Sequence, residues 1–455
     1  MNNFTAIVEK IDSLIWGKPL LIMLLGTHVL MTIMTRFMQR YIFKGIRLSM
    51  IDEESDKGDL SIFGSLMTAL SSTIGTGNII GVGTSVFIGG PGAILWTWLG
   101  GIFGIATKYA ESFIAVKYRR KKEDGSYIGG AMTAFEHLNM PIMAKVFCVL
   151  AAVAAFGIGC GTQSSAIADL LRINFKVPTY ISGIILCVLV GLVVIGGIKS
   201  IAKTCEKLVP IMSIVYVVGC LIIIATNIRY VPEAFKLIVT GAFTTRAAIG
   251  GFVGSTISSA MRIGIERGLF SNEAGMGSAP MATAAGKAKN AVKPALIAST
   301  GVFWDTVVVC LMTGLVIVIS VMGCDNIDST TLESGSALVN ACFKEIPYFG
   351  MPLLVFGIIT FAYSTMLGWG YYGETSFKYL FGEKSVIVYK ILWVVVVYLG
   401  ATVDLSTVWT ISDAMNGLMC LPNIIALFML RKELVTDTKY YLWGDRLEEY
   451  DPDLK

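Results

Sequence analysis

The sequence predicts an all-α polytopic membrane protein in which two of the membrane helices are broken midway. Three observations carry this. Of the 455 residues, 55% are hydrophobic and only 15% charged, with a mean hydropathy of +0.70, outside the range of a soluble domain. Apolar windows of about twenty residues recur along the whole chain. Two Gly/Asn-rich stretches, STIGTGNIIGVG at 72–83 and RGLFSNEAGMGSAP at 267–280, interrupt windows otherwise long enough to span a bilayer. Glycine at this density is unfavourable in a helix interior, and in hydrocarbon every peptide group freed by a break needs a partner. Such breaks are tolerated mainly where they line a polar cavity, and one in each half of the chain is the pattern of a transporter built from inverted repeats.

Eleven candidate spans are centred near Leu24, Ile74, Phe103, Ala155, Val188, Tyr216, Ser258, Val308, Thr360, Trp393 and Met419. The first has no basic region ahead of a short core and no small-residue cleavage site, so it reads as a retained helix rather than a signal peptide. Setting it aside leaves ten spans, and an odd number per half turns two sequential five-span units into opposite orientations. The organisation expected is 1–50 for the added helix and its connector, 59–227 and 247–430 for the two five-helix repeats, and 431–455 for a tail. Residues 122–141 are too polar to span and read as a loop followed by an interfacial helix. Residues 229–250, with Pro232 at a helix start, and 326–350 read as connectors on the opposite face, the latter over the outer mouth. The tail reads as solvated and mobile at its end.

Charge sets the orientation. The net charge is only +4, but Arg36, Arg40, Lys44 and Arg47 follow the first span, Lys117, Arg119, Arg120, Lys121 and Lys122 the third, and Lys199, Lys203 and Lys207 the fifth. Lys287, Lys289 and Lys293 follow the seventh, Lys378 and Lys384 the ninth, and Arg431 and Lys432 the eleventh, while the alternate loops are poorer. This bias predicts an N-terminus outside and a C-terminus in the cytoplasm of the cell membrane. The run KYRRKK is read as part of this signal, in preference to a nucleic-acid or anionic-lipid site. Nine cysteines with no C-x-x-C pair and only two histidines argue against a zinc or iron centre. Cys324 and Cys342 share the longest outer loop, which leaves a disulfide between them open. There is no Ser/His/Asp set, nucleophile elbow or phosphate loop, so an enzyme is not expected. Gly75 and Gly77 fail the dinucleotide pattern because Ile80 stands where its third glycine belongs.

The first break gathers Ser71, Ser72, Thr73, Gly75, Thr76, Gly77 and Asn78. Unwinding there exposes carbonyls from one half-helix and amides from the next; carbonyls and hydroxyls suit a hard monovalent cation, and helix N-termini suit a carboxylate. The competing reading is close packing through small residues at the Gly77–Gly81 spacing, which does not account for Asn78. The second break combines Gly268, Ser271, Asn272, Glu273, Gly275 and Gly277 with Leu269 and Phe270. A carboxylate near the bilayer centre costs about 2.5 to 3.5 kcal/mol on insertion scales, so Glu273 calls for a cavity, a cation or a basic partner. A local ion-pair cluster with Arg262, Glu266 and Arg267 is its structural alternative. Gln163, in the fourth span, has two readings of equal weight: a ligand for a polar head group or a bridge between helices. In the ninth span, Thr360, Ser364 and Thr365 carry hydroxyls at nearly helical spacing, and Trp369 lies four residues beyond Thr365 on the same face. Lys108, Glu111, Asp305, Glu374 and Asp413 read as helix-pairing or gate residues.

The segments GTGNIIGV, followed by GGPGAILWTWLGGIFGIATKYAE, and ERGLFSNEAGMGSAPMATAA resemble the signatures of the alanine or glycine:cation symporter family, over about residues 59–430. The resemblance implies a LeuT-type fold of the APC superfamily, with one added N-terminal helix and two inverted five-helix repeats. It also implies sodium-coupled uptake of alanine or glycine, with Na+ as the co-transported ion and no organic cofactor. Substrate contacts would come from Thr73, Gly75, Thr76, Gly77, Asn78, Gln163, Phe270, Asn272, Gly275, Thr365 and Trp369, and the sodium ion would lie near Thr73, Ser364 and Thr365. Three alternatives remain beside it: a proton-coupled carrier using Glu273 or Asp305, a channel, and an amino-acid-binding membrane receptor.

Overall fold

The computed structural model describes residues 3–51, 58–122, 125–244, 256–324, 327, 331–404 and 406–454. Two helices, α1 (Asn3–Ile15) and α2 (Lys18–Met34), make the added N-terminal unit; Pro19 in the first turn of α2 restarts the helix after Gly17. A short α3 (Ile42–Ser49) follows. The first broken helix is α4 (Ile62–Thr73) and α5 (Ile80–Gly89), separated by an extended Ile74 and Gly75 and a single 3-10 turn at Thr76–Asn78. Ser61 caps α4 by accepting the Gly64 amide at 2.9 Å.

Next come α6 (Gly92–Lys117), a hairpin of β1 (Arg120–Lys121) and β2 (Tyr127–Ile128), and α7 (Ala131–His137). The fourth predicted span is α8 (Pro141–Ala154) and α9 (Thr162–Phe175), joined by a π-helical turn at Ala155–Gly161. Then follow α10 (Thr179–Val194), α11 (Gly197–Thr226) and α12 (Val231–Phe243), the last with Pro232 in its first turn as expected. The second broken helix is α13 (Ile257–Asn272) and α14 (Pro280–Ala285). Beyond it, α15 (Val292–Val302) and α16 (Leu311–Gly323) are joined by a π-helical turn at Phe303–Cys310. The chain ends through α17 (Gly335–Lys344), α18 (Gly350–Phe381), α19 (Val386–Thr402), α20 (Ser406–Met429) and α21 (Arg431–Asp437).

Among the described residues, seven helical units are long and apolar enough to cross a membrane: Thr5–Met34, Pro141–Phe175, Gly197–Thr226, Val292–Gly323, Gly350–Phe381, Glu383–Thr402 and Thr410–Met429. The four other predicted spans are also helical, but each is interrupted, shorter or more polar. The apolar surface follows from the environment: Ile184, Ile185, Val188, Leu192 and Ile195 are exposed along α10, and Ile211, Ile214 and Val218 along α11. The interior holds the large rings, with Tyr109, Tyr216, Trp369, Tyr372 and Trp393 almost fully buried. Here α6 packs along α2, α13 and α15, and α18 against α4, α8 and α11. That places α6 and α18 beside both breaks.

Some sequence expectations are refined. The segment before α8 is a hairpin and a mostly buried α7 rather than a surface helix, because Met132, Ala134 and Phe135 all pack inward. The start of the second repeat at 247, Arg246 and parts of the 229–250 and 326–350 connectors lie outside the described residues. No disulfide joins Cys324 to Cys342: the Cys324 thiol lies 3.4 Å from a Glu345 carboxylate oxygen, and the Cys342 thiol faces the Ile317 carbonyl.

The tail departs most from expectation. Instead of being solvated, it crosses the basic face and is fastened there. Lys117 meets Asp451 at 2.6 Å and Asp437 at 3.0 Å, Glu448 takes Lys293 at 2.6 Å and Lys289 at 3.2 Å, and Lys44 reaches Asp445 at 3.1 Å. Asn290 donates to the Leu447 and Glu449 carbonyls, Tyr109 bonds Thr438, and Leu442, Leu447 and Leu454 are buried. The cause is complementarity: an acidic tail with spaced leucines lies on the lysine-rich face of the helices.

Hydrogen bonding from Lys293, then from Lys289, holds the Glu448 carboxyl below the usual carboxylate range. A lowered carboxylate contributes stability above its unfolded pKa and loses it as pH falls through its folded one. Tail docking in the wild type should therefore weaken on acidification through the carboxylate range, and Glu448→Gln should flatten that response. Hydrogen exchange of residues 438–454 against pH, wild type minus variant, measures it; identical profiles would remove Glu448 from the account.

Candidate functional site

Inside the first break, Ile74 and Gly75 are extended, so the Ile74 carbonyl leaves the helical ladder. Two hydroxyls of α18 converge on it, donating from Ser364 at 3.4 Å and from Thr365 at 3.3 Å. Both are longer than an ordinary O–H···O bond of about 2.7 to 2.8 Å. Ser364 makes its better bond, 2.9 Å, to Phe361 of its own helix. The Gly75 amide is taken by the Asn78 side chain at 2.8 Å and the Thr76 amide by Gln163 at 3.3 Å. Gln163 thus bridges helices, with its amide nitrogen on the Ile158 carbonyl of the π turn. These oxygens are buried and loosely bonded, an arrangement suited to a small cation.

The two breaks touch. A Cβ placed on Gly77 would lie 3.3 Å from the Phe270 ring and 3.6 Å from the Ser271 Cα. Asp305, on the π turn between α15 and α16, ties them together. It accepts from Asn78 Nδ2 at 2.7 Å on the first break, from Ser271 at 2.9 Å on the second, and from Thr306 at 2.6 Å. Asn272 donates to Thr306 at 3.2 Å and accepts the Ala274 amide at 2.9 Å.

The second break is held differently. Glu273 is left-handed at φ 53° and ends α13, and Gly275 and Gly277 have φ of 90° and 79°. Such positive φ values suit glycine and turn amides toward one point. That point is occupied by Glu111 of α6, whose carboxylate accepts the Gly275 amide at 3.0 Å, the Gly277 amide at 3.1 Å and Asn423 at 3.0 Å. Lys108, one turn away, pairs with Glu111 at 2.9 Å and donates to the Glu273 carbonyl at 3.0 Å. An ammonium at a helix C-terminus and a carboxylate at a nest of amides both satisfy the local dipoles.

Glu273 does not join an ion-pair cluster with Arg262, Glu266 and Arg267. Its side chain crosses to α18, accepting Trp369 Nε1 at 2.8 Å and the Ser278 hydroxyl at 2.5 Å. Arg267 pairs instead with Glu266 at 3.3 Å and lies 5.9 Å from the Phe270 ring centre.

Of the residues singled out in sequence, the fold therefore assembles Gly75, Thr76, Gly77, Asn78, Gln163, Phe270, Asn272, Ser364, Thr365 and Trp369 at or beside the two breaks. Gly275 is there too, but its amide is already taken by Glu111. The Thr73 hydroxyl bonds back to the Leu70 carbonyl at 3.2 Å, and Thr73 lines a cleft of about 10 Å³ with Lys108, Asn272 and Thr283. That is about the space of one water. The sequence pointed to freed carbonyls in the first break without marking which residue supplies one, and so did not single out Ile74; it also missed Asn423, a polar residue beside Pro422 within an apolar helix.

The profile of the sodium:alanine symporter family matches residues 1–454. The sodium/alanine symporter AgcS of Methanococcus maripaludis is 42% identical over 448 residues, covering 96% of this chain and 97% of its own. Among solved structures, MhsT in complex with L-phenylalanine superposes with a TM-score of 0.60 at 15% identity, over 86% of this chain and 95% of the other. A substrate-bound outward-open Na+-coupled sialic acid symporter gives 0.59 at 13% identity, over 95% and 93%. These structural likenesses give the fold, which is of the LeuT type with a broken helix opening each half. With its family profile matched from end to end, the chain belongs to the sodium:alanine symporter family.

Proposed function

We propose that this protein is a sodium-coupled symporter that imports alanine or glycine by alternating access, and not an enzyme. The single observation that carries the reading is the convergence of the Ser364 and Thr365 hydroxyls on the freed Ile74 carbonyl, inside a break that touches the second one. Sodium there replaces the two weak contacts with stronger ones and joins α18 to the first broken helix. The substrate carboxylate then meets amides of the first break near Thr76 and Gly77, beside Gln163, with Phe270 and Trp369 enclosing its small side chain. Thr73, Asn78, Asn272 and Gly275 shape the break backbones in this reading. The family membership and the sodium/alanine assignment of the Methanococcus relative support both substrate and ion.

Domain units at 59–227 and 247–430, an N-terminus outside and a C-terminus inside belong to the same reading, supported by the lysine and arginine bias. The driving force is adequate. One positive charge crossing 100 mV gains about 2.3 kcal/mol, and a tenfold sodium gradient adds about 1.4 kcal/mol. Together they sustain an accumulation of roughly 500-fold.

Uptake of labelled alanine and glycine into proteoliposomes under an imposed sodium gradient tests this. Sodium-dependent accumulation is expected; accumulation that persists with choline and an imposed proton gradient would transfer the coupling to Glu273 or Asp305. Counterflow without a gradient separates a carrier from a receptor.

Trp369 sets the size limit. A Cβ on Gly159 would collide with the Cβ and indole ring of Trp369, so the indole stands where only glycine leaves room. Trp369→Ala should admit leucine or valine, while Trp369→Phe, which keeps a ring but loses the bond to Glu273, should stay selective with slower uptake. A Trp369→Ala variant that excludes leucine would refute the size argument.

A further inference from the structure

On the lysine-rich side of the two breaks, the chain leading into α4 is clasped to the chain leaving α14. Leu60 makes a parallel bridge with Gly286. The Asp59 and Leu60 amides both donate to the Ala285 carbonyl, at 2.8 and 3.1 Å, and the Lys287 amide returns a bond of 2.9 Å to the Leu60 carbonyl. The approach is close enough to need glycine: a Cβ on Gly58, at φ 153°, would lie 2.4 Å from the Lys287 nitrogen. Leu60, Ala202 of α11 and Ala285 form a small apolar cluster of their own, separate from the main core.

Arg119, just past the end of α6, completes the clasp from a third element. The last carbonyls of a helix have no partner within it, and at the end of α14 this side chain supplies one. Its Nη1 donates to the Ala284 carbonyl at 3.0 Å and to the Gly286 carbonyl at 2.6 Å. The guanidinium lies 4.5 Å from the centre of the Tyr127 ring. Asp59, whose carboxylate takes the Tyr127 amide at 2.8 Å, is near enough to act on the charge of Arg119. A cation only 1% exposed, spent largely on backbone oxygens, serves to position that backbone. Water can replace each of these bonds once the segments part, and the apolar cluster is small. The clasp therefore seals this end when closed and leaves no polar group stranded when open.

We propose that the clasp is the inner gate of the transport path and that Arg119 is the positioning residue that holds it shut. Opening it separates α4 from α14 and lets water reach the two breaks from the lysine-rich side. The proposal rests on the carrier reading above and adds to it the bonds that are exchanged for water when the site faces inward.

Hydrogen exchange of the full chain in nanodiscs reads the Asp59, Leu60 and Lys287 amides directly. Arg119→Gln should speed exchange across 59–66 and 284–290 by at least about tenfold. It should not speed exchange in α17, which packs on α5 at the far end of the first broken helix. Gly58→Ala, which wedges the clasp from the other side and leaves Arg119 in place, should act alike. Arg119→Lys keeps a cation with donors for both carbonyls and should exchange more slowly than Arg119→Gln. Arg120→Gln, on the same hairpin but paired with Glu136, should match wild type. In proteoliposomes oriented with the lysine-rich face inside, Arg119→Gln and Gly58→Ala should raise the KM for alanine uptake. The rise is about tenfold where the outward-facing fraction falls tenfold, because a ligand binds only the fraction whose site faces it. Wild-type exchange in Arg119→Gln, or an equal rise in α17, would overturn the gate, as would a lowered maximal rate at unchanged KM. If the variants separate by exchange while wild type fails to accumulate alanine with sodium, the substrate reading fails and the clasp stands. Should Arg119→Gln not fold, Gly58→Ala decides alone, and wild-type exchange in it would overturn the proposal.

Discussion

Gly75→Ala should lower sodium-driven alanine uptake by about 100-fold or more. The backbone is not the reason: Gly75 has φ −135° and ψ −158°, an extended conformation open to any residue. Space is the reason. A Cβ there would lie 2.5 Å from Thr365 Oγ1, 3.4 Å from Thr365 Cβ and 3.5 Å from Gln163 Oε1. It would push the hydroxyl off the Ile74 carbonyl and separate α18 from the first break, at an overpacking cost of about 1 to 3 kcal/mol. Two companions make the result interpretable. Gly81→Ala, where an added Cβ meets nothing within 4 Å, should keep uptake close to wild type. Gly75→Ala combined with Thr365→Ala relieves the clash without restoring the hydroxyl, so it should recover melting temperature but not transport. If the double variant transports, the hydroxyl is not a sodium ligand and the proposed ion site fails.

Much of the framework could be read from the chain, because the signals were local. Broken helices announce themselves through glycine and asparagine inside apolar windows, and hydroxyls at 364 and 365 through their spacing before Trp369. What escaped was nonlocal or belonged to the backbone. Ile74 contributes only its carbonyl, which any residue possesses, so side-chain chemistry could not mark it. Thr73 looked equivalent to its neighbours, yet its hydroxyl bonds back to the Leu70 carbonyl of its own helix and it lines a cleft shared with Lys108. Glu273 has three charged residues within eleven positions before it, which favoured a local cluster; the left-handed turn at 273 instead sends its carboxylate to Trp369, ninety-six positions on. The tail read as solvated because it is acidic and polar, and its lysine partners at 44, 117, 289 and 293 are scattered over the whole sequence. In each case the missing information was which distant element lies alongside.

The same nonlocality makes Lys108 the most costly side chain to remove from the site's support. Lys108→Met should destabilise the protein by about 3 to 5 kcal/mol, since it leaves a buried carboxylate without its cation. The side chains of Lys108 and Glu111 are 4% and 0% exposed, so water cannot take over. The loss also strips the Glu273 carbonyl of its shorter hydrogen bond and leaves it the Met276 amide at 3.3 Å, loosening the end of α13. Glu111→Gln should cost less, because a glutamine oxygen can still accept the Gly275 and Gly277 amides while Lys108 keeps its bond to Glu273. The informative comparison is with the double variant Lys108→Met, Glu111→Gln, which has no net change in formal charge and keeps the amides partnered. It should melt well above Lys108→Met alone, although it carries one more substitution. Alanine affinity should nonetheless stay below wild type, because the Glu273 carbonyl keeps only the Met276 amide at 3.3 Å and Trp369 depends on where Glu273 sits. Thermal unfolding of the three proteins, with alanine binding measured on each, separates the two effects. A double variant no more stable than Lys108→Met would mean that the pair does not act as a unit. In that event, the shape of the second break would have to be attributed to Gly275, Gly277 and Asn423 alone.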